Sequence, residues 1–228
     1  MLPLVIAHRG ACRRRRENTV EAFAEAGRLG ADMVELDVRR TADGRLAIHH
    51  DALLADGRAL KDVDAADLPE WLPDLGAALD ACAGMEVNIE IKNWPADIDF
   101  DPDDVVAGQV VELVVDRKWR DRVLVSSFNP STIDRVRALD AAIATGWLTG
   151  GALDLRAAVE QAAAGGHNAV HPHVRSVTEE AVAFAHGNGL RVNVWTVDEP
   201  DDIRRLAAWG VDGIVTNLPD VARSILGE

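Results

Sequence analysis

The sequence predicts an α/β protein, an irregular (β/α)8 barrel, and three observations carry the prediction. Short apolar runs alternate with amphipathic stretches along the whole 228-residue chain. The two kinds of segment match one for one. A further strand-like piece, LAIHH at 46–50, follows its predecessor too closely to be a parallel neighbour. Regular alternation of this kind points to a parallel sheet covered by helices. A chain of this length suits a single α/β barrel domain. No linker, low-complexity segment or internal repeat interrupts it, so residues 1–228 are read as one domain.

The strand runs are residues 4–8, 33–38, 87–92, 123–127, 142–147, 169–173, 191–197 and 213–216. The amphipathic stretches between and after them are 19–29, 74–82, 104–118, 131–139, 153–164, 178–188, 200–209 and 220–226. Several open on a capping residue or an early proline, as in NPST, SVTEE and DEPDD. Gly30, Gly165 and Gly189 stand where helices should stop. The misfit is RRTADGRLAIHHD at 39–51. Parallel neighbours need a crossover of about a dozen residues, whereas an Asp-Gly pair between alternating runs signals a hairpin. LAIHH is therefore expected as an antiparallel excursion after the second strand, folded over the barrel mouth and delivering His49, His50 and Asp51 there. A second ADGR, at 55–58, predicts another tight turn within it.

Composition narrows the function. A hydrophobic share of 48% with 27% charged residues is that of an ordinary soluble protein with a real core. The net charge of −14 disfavours nucleic acid and anionic membrane surfaces. An anionic substrate would need a local cation cluster or a metal. Two cysteines, Cys12 and Cys82, make no disulfide framework, and a reducing, cytoplasmic setting is expected. MLPLVIAHRG is too short and too poor in early basic residues for a signal peptide. No apolar run reaches the ~20 residues that span a bilayer.

In such a barrel the site lies at the C-terminal strand ends. Glu35 and Asp37 are two apart on a strand and share a face, as do Glu90 and Lys92. All four sit among aliphatic neighbours, where an unpaired charge is expensive. Three inward carboxylates repel one another unless a cation sits between them. An all-oxygen set suits Ca2+ or Mg2+ better than zinc. The alternative is that Glu35, Asp37 and Glu90 only pair with arginines and Lys92. His8 and His50 are the acid–base candidates, since imidazole is suited to proton transfer near neutral pH. His49 should face away from His50. His171 and His173 share a face and either reach the mouth or fill it. Arg9 offers a bidentate phosphate contact and Lys92 a point charge. Together these groups describe phosphoryl transfer, where catalysis is positioning plus charge neutralisation. Arg13 to Arg16 cannot all face one site. They are read as a solvated surface run, with one member touching a charged substrate as the alternative. Cys12 lacks a base-and-orienter set and is read as a small filler.

HRG at 8–10, ENT at 17–19, ELDV at 35–38, HHD at 49–51, EIK at 90–92, VNVWTV at 192–197 and DGIVTNLPD at 212–220 together resemble the glycerophosphodiester phosphodiesterase family. The motifs run in family order over nearly the whole chain. The resemblance implies an irregular (β/α)8 barrel that hydrolyses glycerophosphodiesters to glycerol 3-phosphate and an alcohol with a divalent metal. It makes His8 and His50 the acid–base pair, Glu35, Asp37 and Glu90 the metal ligands, and Arg9 and Lys92 the phosphate contacts. It places Trp195 in the pocket wall and gives Glu17 the task of holding Arg9 or the site loop. Three departures stand out. The segment after His50 lacks the Arg-Thr-Thr-Asn-Gly stretch common in the family, the arginine run replaces a proline that often precedes Glu-Asn-Thr, and Asn217 and Asp198 stand where the family more often has Asp and Asn. Two rival readings are a lysophospholipase D-type activity on lipid phosphodiesters and a phosphate-ligand binding protein without turnover.

Overall fold

The computed structural model describes residues 2–227. The chain runs β1 (Leu4–His8), α1 (Val20–Arg28), β2 (Met33–Arg40), β3 (Leu46–Ile48), α2 (Leu75–Ala81), β4 (Glu86–Ile91), α3 (Val105–Asp116) and β5 (Val123–Ser127). It continues α4 (Pro130–Leu139), β6 (Ala144–Thr149), α5 (Leu155–Ala164), β7 (Ala169–Pro172), α6 (Glu179–Gly187), β8 (Arg191–Val194), α7 (Pro200–Ala208), β9 (Gly213–Thr216) and α8 (Pro219–Gly227). Hydrogen bonding orders the strands β1-β9-β8-β7-β6-β5-β4-β2-β3, with β1 also paired to β2. That last pairing closes the parallel strands into a (β/α)8 barrel and leaves β3 outside it.

The hairpin prediction holds. β3 is antiparallel to β2, with Val38 opposite Ile48 and Arg40 opposite Leu46. Gly44, at φ 84°, supplies the left-handed residue that ends a three-residue hairpin loop. The Thr41 N–H donates to Arg45 O at 2.9 Å across that loop. The second turn closes where the Leu54 N–H donates to Arg58 O at 2.8 Å. The excursion buries an apolar nucleus of its own, Ala47, Leu54, Leu60, Val63 and Leu72.

Strand alternation sends one set of side chains outward against the helices. Val34, Leu36, Val87, Ile89 and Val125 pack there with α1, α2 and α3 residues such as Phe23, Leu79 and Val110. Val170, Val192 and Ile214 do the same on the far side with Leu155, Val182 and Leu206. The inward set begins with an apolar floor of Ile6, Met33 and Val215. Higher up, the buried residues are Glu35, Asn88, Glu90, Ser126, His171 and Asn193. Barrel interiors are ordinarily filled by branched aliphatics, so this polar tier locates the chemistry.

The strand boundaries differ most from expectation at β6 and β8. Residues 142–143 turn rather than extend, because Asp140 accepts the Ala142 N–H on its side chain at 3.0 Å and the Ile143 N–H on its carbonyl at 3.2 Å. β8 stops at Val194, and Trp195 keeps only an isolated bridge to His173. Gly165 caps α5 with φ −72°, and its neighbour Gly166 takes the left-handed position instead.

Candidate active site

β1 ends on His8, and the next two residues turn the chain sharply, Arg9 at φ 54° and Gly10 at φ 78°. A Cβ on Gly10 would lie 2.7 Å from the Ala22 carbonyl carbon, so only glycine lets α1 close on this turn. A left-handed arginine costs on the order of 1–2 kcal/mol, and its partners hold it there. The Arg9 N–H donates to Glu35 Oε2 at 2.9 Å, and Nη1 donates to Glu17 Oε1 at 3.0 Å. Arg9 Nε lies 3.3 Å from Asp37 Oδ2. Glu17 thus contacts Arg9 directly.

Glu35, Asp37 and Glu90 each bring a carboxylate oxygen within 4.8 Å of the others. Parallel register sets Asp37 opposite Glu90, which explains how residues far apart in sequence meet. The chain occupies one oxygen on two of these groups. Glu35 Oε2 takes the Arg9 N–H, and Asp37 Oδ2 takes Asn18 Nδ2–H at 2.7 Å. Glu35 Oε1 is buried without a hydrogen-bond partner, and Asp37 Oδ1 and Glu90 Oε1, also buried, meet only Lys92. The Lys92 ammonium sits 2.9 Å from Asp37 Oδ1 and also contacts Glu90 Oε1. With all three acids ionised, Arg9 and Lys92 leave one negative charge uncompensated. One oxygen per acid, free at Glu35 and shared only with Lys92 at Asp37 and Glu90, converges in a buried cluster that fits a hard divalent cation.

Burial pushes the Glu35 and Glu90 carboxyls up; Asp37 adds repulsion at Glu35, and Lys92 only partly offsets burial at Glu90. At Asp37 burial acts in the same sense, but Lys92 and Arg9 more than offset it and hold the group below the usual carboxylate range. Lys92 is held well above its ordinary value, because Glu90 and Asp37 outweigh its own burial.

His8 Nδ1 lies 2.7 Å from Asn217 Oδ1, and Nε2 lies 4.0 Å from Glu35 Oε2. His50, just past β3, contacts Asp51 Oδ1 through Nδ1 at 2.7 Å. Its carbonyl accepts Arg39 Nε–H at 2.8 Å, while the same guanidinium makes two bonds of 2.6 and 2.7 Å to Asp99. Burial lowers the pKa of both imidazoles, helped by Arg9 at His8 and by Lys92 at His50. Both histidines line one cavity of about 180 Å3 together with Arg9, Glu35, Glu90, Lys92 and Trp195. A larger cavity of about 490 Å3 shares His50, Glu90, Lys92 and Phe128 with it and extends to Trp94 and Asp97.

The remaining sequence candidates fall into place around this core. Trp195 donates Nε1–H to His171 O at 2.8 Å and packs edge-on against Phe128 and His173, with ring centres 5.4 and 5.0 Å apart. His171 is buried beneath the mouth beside Asn193, and burial lowers its pKa to about 3, so it stays neutral. His49 turns away from His50 and lies 6.3 Å from the Trp71 ring. The arginine run fans outward: Arg13 toward Asp198, Arg14 to Asp220, Arg15 to Glu25 and Arg16 over Trp71. Cys12 donates to Asn217 Oδ1 at 3.1 Å, and burial pushes its thiol up to about 11. Sequence reasoning gave no site role to Asn18 or Arg39, and it singled out Asn217 only as a departure from the family pattern. Asn18, adopting φ 56° within the ENT motif, is the one with a local signal.

The model of the glycerophosphoryl diester phosphodiesterase family matches residues 8–221. The chain belongs to that family. It is 30% identical to the glycerophosphodiester phosphodiesterase of Caldanaerobacter subterraneus, with 96% of each chain covered. It is also 30% identical to the glycerophosphodiester phosphodiesterase of Bacillus altitudinis, with 98% of each covered. Among solved structures it resembles an Oleispira antarctica phosphodiesterase in complex with the product sn-glycerol-3-phosphate, at TM-score 0.89, 25% identity and coverage of 100% and 98%. A glycerophosphodiester phosphodiesterase from Parabacteroides distasonis matches at TM-score 0.87 and 25% identity, covering 99% of this chain and 97% of that one. The family is one of phosphodiester hydrolases, and this member brings both histidines, Glu35 and Glu90 to one pocket, with Asp37 buried beside them.

Proposed function

We propose that the protein hydrolyses glycerophosphodiesters to glycerol 3-phosphate and an alcohol, using a divalent cation, Ca2+ or Mg2+. Residues 1–228 act as a single domain on a small-molecule substrate, not on nucleic acid or as a membrane-inserted protein. The observation that carries this reading is the buried carboxylate cluster of Glu35, Asp37 and Glu90, with Glu35 Oε1 unpartnered and with Glu35 and Glu90 lining the same cavity as His8 and His50. Glu35, Asp37 and Glu90 hold the cation, which supplies Lewis-acid neutralisation of phosphoryl charge when bound.

The chain's own groups do the rest. Arg9 and Lys92 face the phosphate oxygens and offset the charge that builds on them in the transition state. Arg9 is held in place by Glu17 and Asp37, so its guanidinium is ordered before substrate arrives. His8 and His50 form the acid–base pair: one takes the proton from the nucleophile, water or the glyceryl 2-hydroxyl, and the other gives a proton to the departing alcohol oxygen. Attack by water yields glycerol 3-phosphate at once, whereas attack by the 2-hydroxyl yields a cyclic phosphate that water then opens. Each has Nδ1 engaged, which leaves Nε2 as the atom that meets substrate. Trp195 forms part of the wall against which the glyceryl moiety rests, braced by Phe128 and His173.

The test is a panel of glycerophosphodiesters assayed with chelator and then with Ca2+ or Mg2+ restored. Release of glycerol 3-phosphate that stops with chelator and returns with metal is expected. Full turnover in excess chelator would remove the cation from the reading. Binding without any turnover would reduce the protein to a phosphate-ligand receptor.

A further inference from the structure

Asn217 lies 209 residues from His8 in sequence and 2.7 Å from it in space. An asparagine amide can present either its oxygen or its nitrogen to a neighbour, and the choice dictates what the neighbour must do. Here Asp198 makes the choice. Its Oδ1 accepts the Asn217 backbone N–H at 2.8 Å and the Thr216 hydroxyl at 3.1 Å. Its Oδ2 lies 2.7 Å from Asn217 Nδ2. A carboxylate only accepts, so the Asn217 NH2 group must face Asp198 and its Oδ1 must face His8. A second donor meets the same oxygen, the Cys12 thiol at 3.1 Å. An amide oxygen also only accepts, so the His8 nitrogen opposite it must carry the proton.

We infer that Asn217, oriented by Asp198, is a positioning residue that locks neutral His8 as the Nδ1–H tautomer, leaving the Nε2 lone pair on the substrate side. Orientation passes from the Asp198 carboxylate to the Asn217 amide to the His8 imidazole. The lock matters because the other tautomer would put N–H where a proton acceptor is needed and would reverse the flow of protons through the ring. Asn217 touches His8 and does not line the cavity. Its effect therefore falls on turnover rather than on binding. The functional consequence rests on the hydrolase reading above, whereas the tautomer itself does not.

The experiment has a spectroscopic arm and a kinetic arm. In 15N-labelled wild-type protein at a pH where His8 is neutral, with and without Ca2+, the ring is expected to show a protonated Nδ1 and an unprotonated Nε2. The reverse pattern would overturn the inference without any variant being made. Asp198→Asn frees the amide to turn, because the residue at 198 then donates as well as accepts. We expect a mixture of His8 tautomers, kcat lowered by about 10-fold or more, and KM within about 3-fold of wild type. Adding Asn217→Asp to that variant restores an acceptor-only group against His8 and a donor at 198. The double variant should recover most of kcat and the single-tautomer spectrum. Unchanged kcat and ring signals in Asp198→Asn, or no recovery in the double variant, would refute the lock. Failure of the wild-type protein to turn over any glycerophosphodiester would instead strike the proposed function and leave the ring measurement standing.

Discussion

Replacing Glu35 by Gln removes one charge from the acid trio while keeping its shape and its acceptor for the Arg9 N–H. Two carboxylates within 4.8 Å repel by about 3.5 kcal/mol at an effective dielectric of ~20. Glu35 faces two such neighbours, and Arg9 and Lys92 return attraction of the same order. What survives this near-cancellation is the burial of an oxygen, Oε1, that has no partner, a cost of roughly 1–3 kcal/mol. The raised pKa of Glu35 gives the pH sign. The fold prefers the protonated acid, so that contribution is present at low pH and is lost as pH climbs from the ordinary carboxylate range through the raised value. A permanent amide keeps it. In chelator at about pH 7.5, Glu35→Gln should melt roughly 2–12 °C above wild type, taking ~2–4 °C per kcal/mol for a chain of this size. Adding Ca2+ or Mg2+ at 100 times its dissociation constant should stabilise wild type by about 2.7 kcal/mol and raise its melting temperature by roughly 5–11 °C, but leave the variant almost unmoved. The order of stabilities then narrows or inverts with metal. Calorimetry in both buffers reads it directly. A wild-type melting point indifferent to millimolar divalent cation, or a variant that responds equally, would refute the argument.

Four further outcomes follow from the geometry. His8→Ala and His50→Ala should each lose about 10²–10⁴ in kcat with unchanged far-UV circular dichroism; near-wild-type turnover in either removes it from the acid–base pair. Gly10→Ala should destabilise the protein by roughly 2–5 kcal/mol in urea, from a left-handed alanine and a 2.7 Å clash with Ala22; a loss under about 1 kcal/mol would mean that α1 shifts freely. Arg39→Met strips the buried Asp99 of its partner and the His50 carbonyl of its donor, so a loss of about 3–5 kcal/mol with lowered kcat is expected from unfolding and steady-state assays. Changing Arg14, Arg15 and Arg16 together to Ser should leave kcat/KM within about 3-fold, since exposed ion pairs contribute about 0–1 kcal/mol each; a large loss would place one of them on the substrate.

The barrel was legible because each strand is buried on both faces and reads as an apolar run broken only where chemistry intrudes. Glu35 and Asp37, and likewise Glu90 and Lys92, could be assigned to one face because side chains alternate with a period of two. The hairpin was legible for the opposite reason, since too few residues separate Arg40 from Leu46 for a crossover. What periodicity does not encode is where loops lay their side chains. The bond from Arg39 to Asp99 spans 60 positions, and that from His8 to Asn217 spans 209. Neither partner carries a local pattern that names the other. The ends of β6 and β8 were misplaced for a related reason: a side-chain acceptor at Asp140 and the departure of Trp195 toward the pocket outweigh the apolar character of those runs.

One imidazole is mounted on the barrel frame and the other on an appendage whose apolar nucleus of five residues is separate from the main cores. The appendage adheres through β3, whose Leu46 and Ile48 belong to the main apolar core, through the His49 N–H donated to Asp37 O at 3.0 Å, through Gln109 Nε2–H donated to Gly44 O at 2.9 Å, and through Arg39. Loosening it would carry His50 away from His8 while the eight parallel strands stayed paired, and a loss of activity on heating that precedes the loss of far-UV signal is the expected mark of that event.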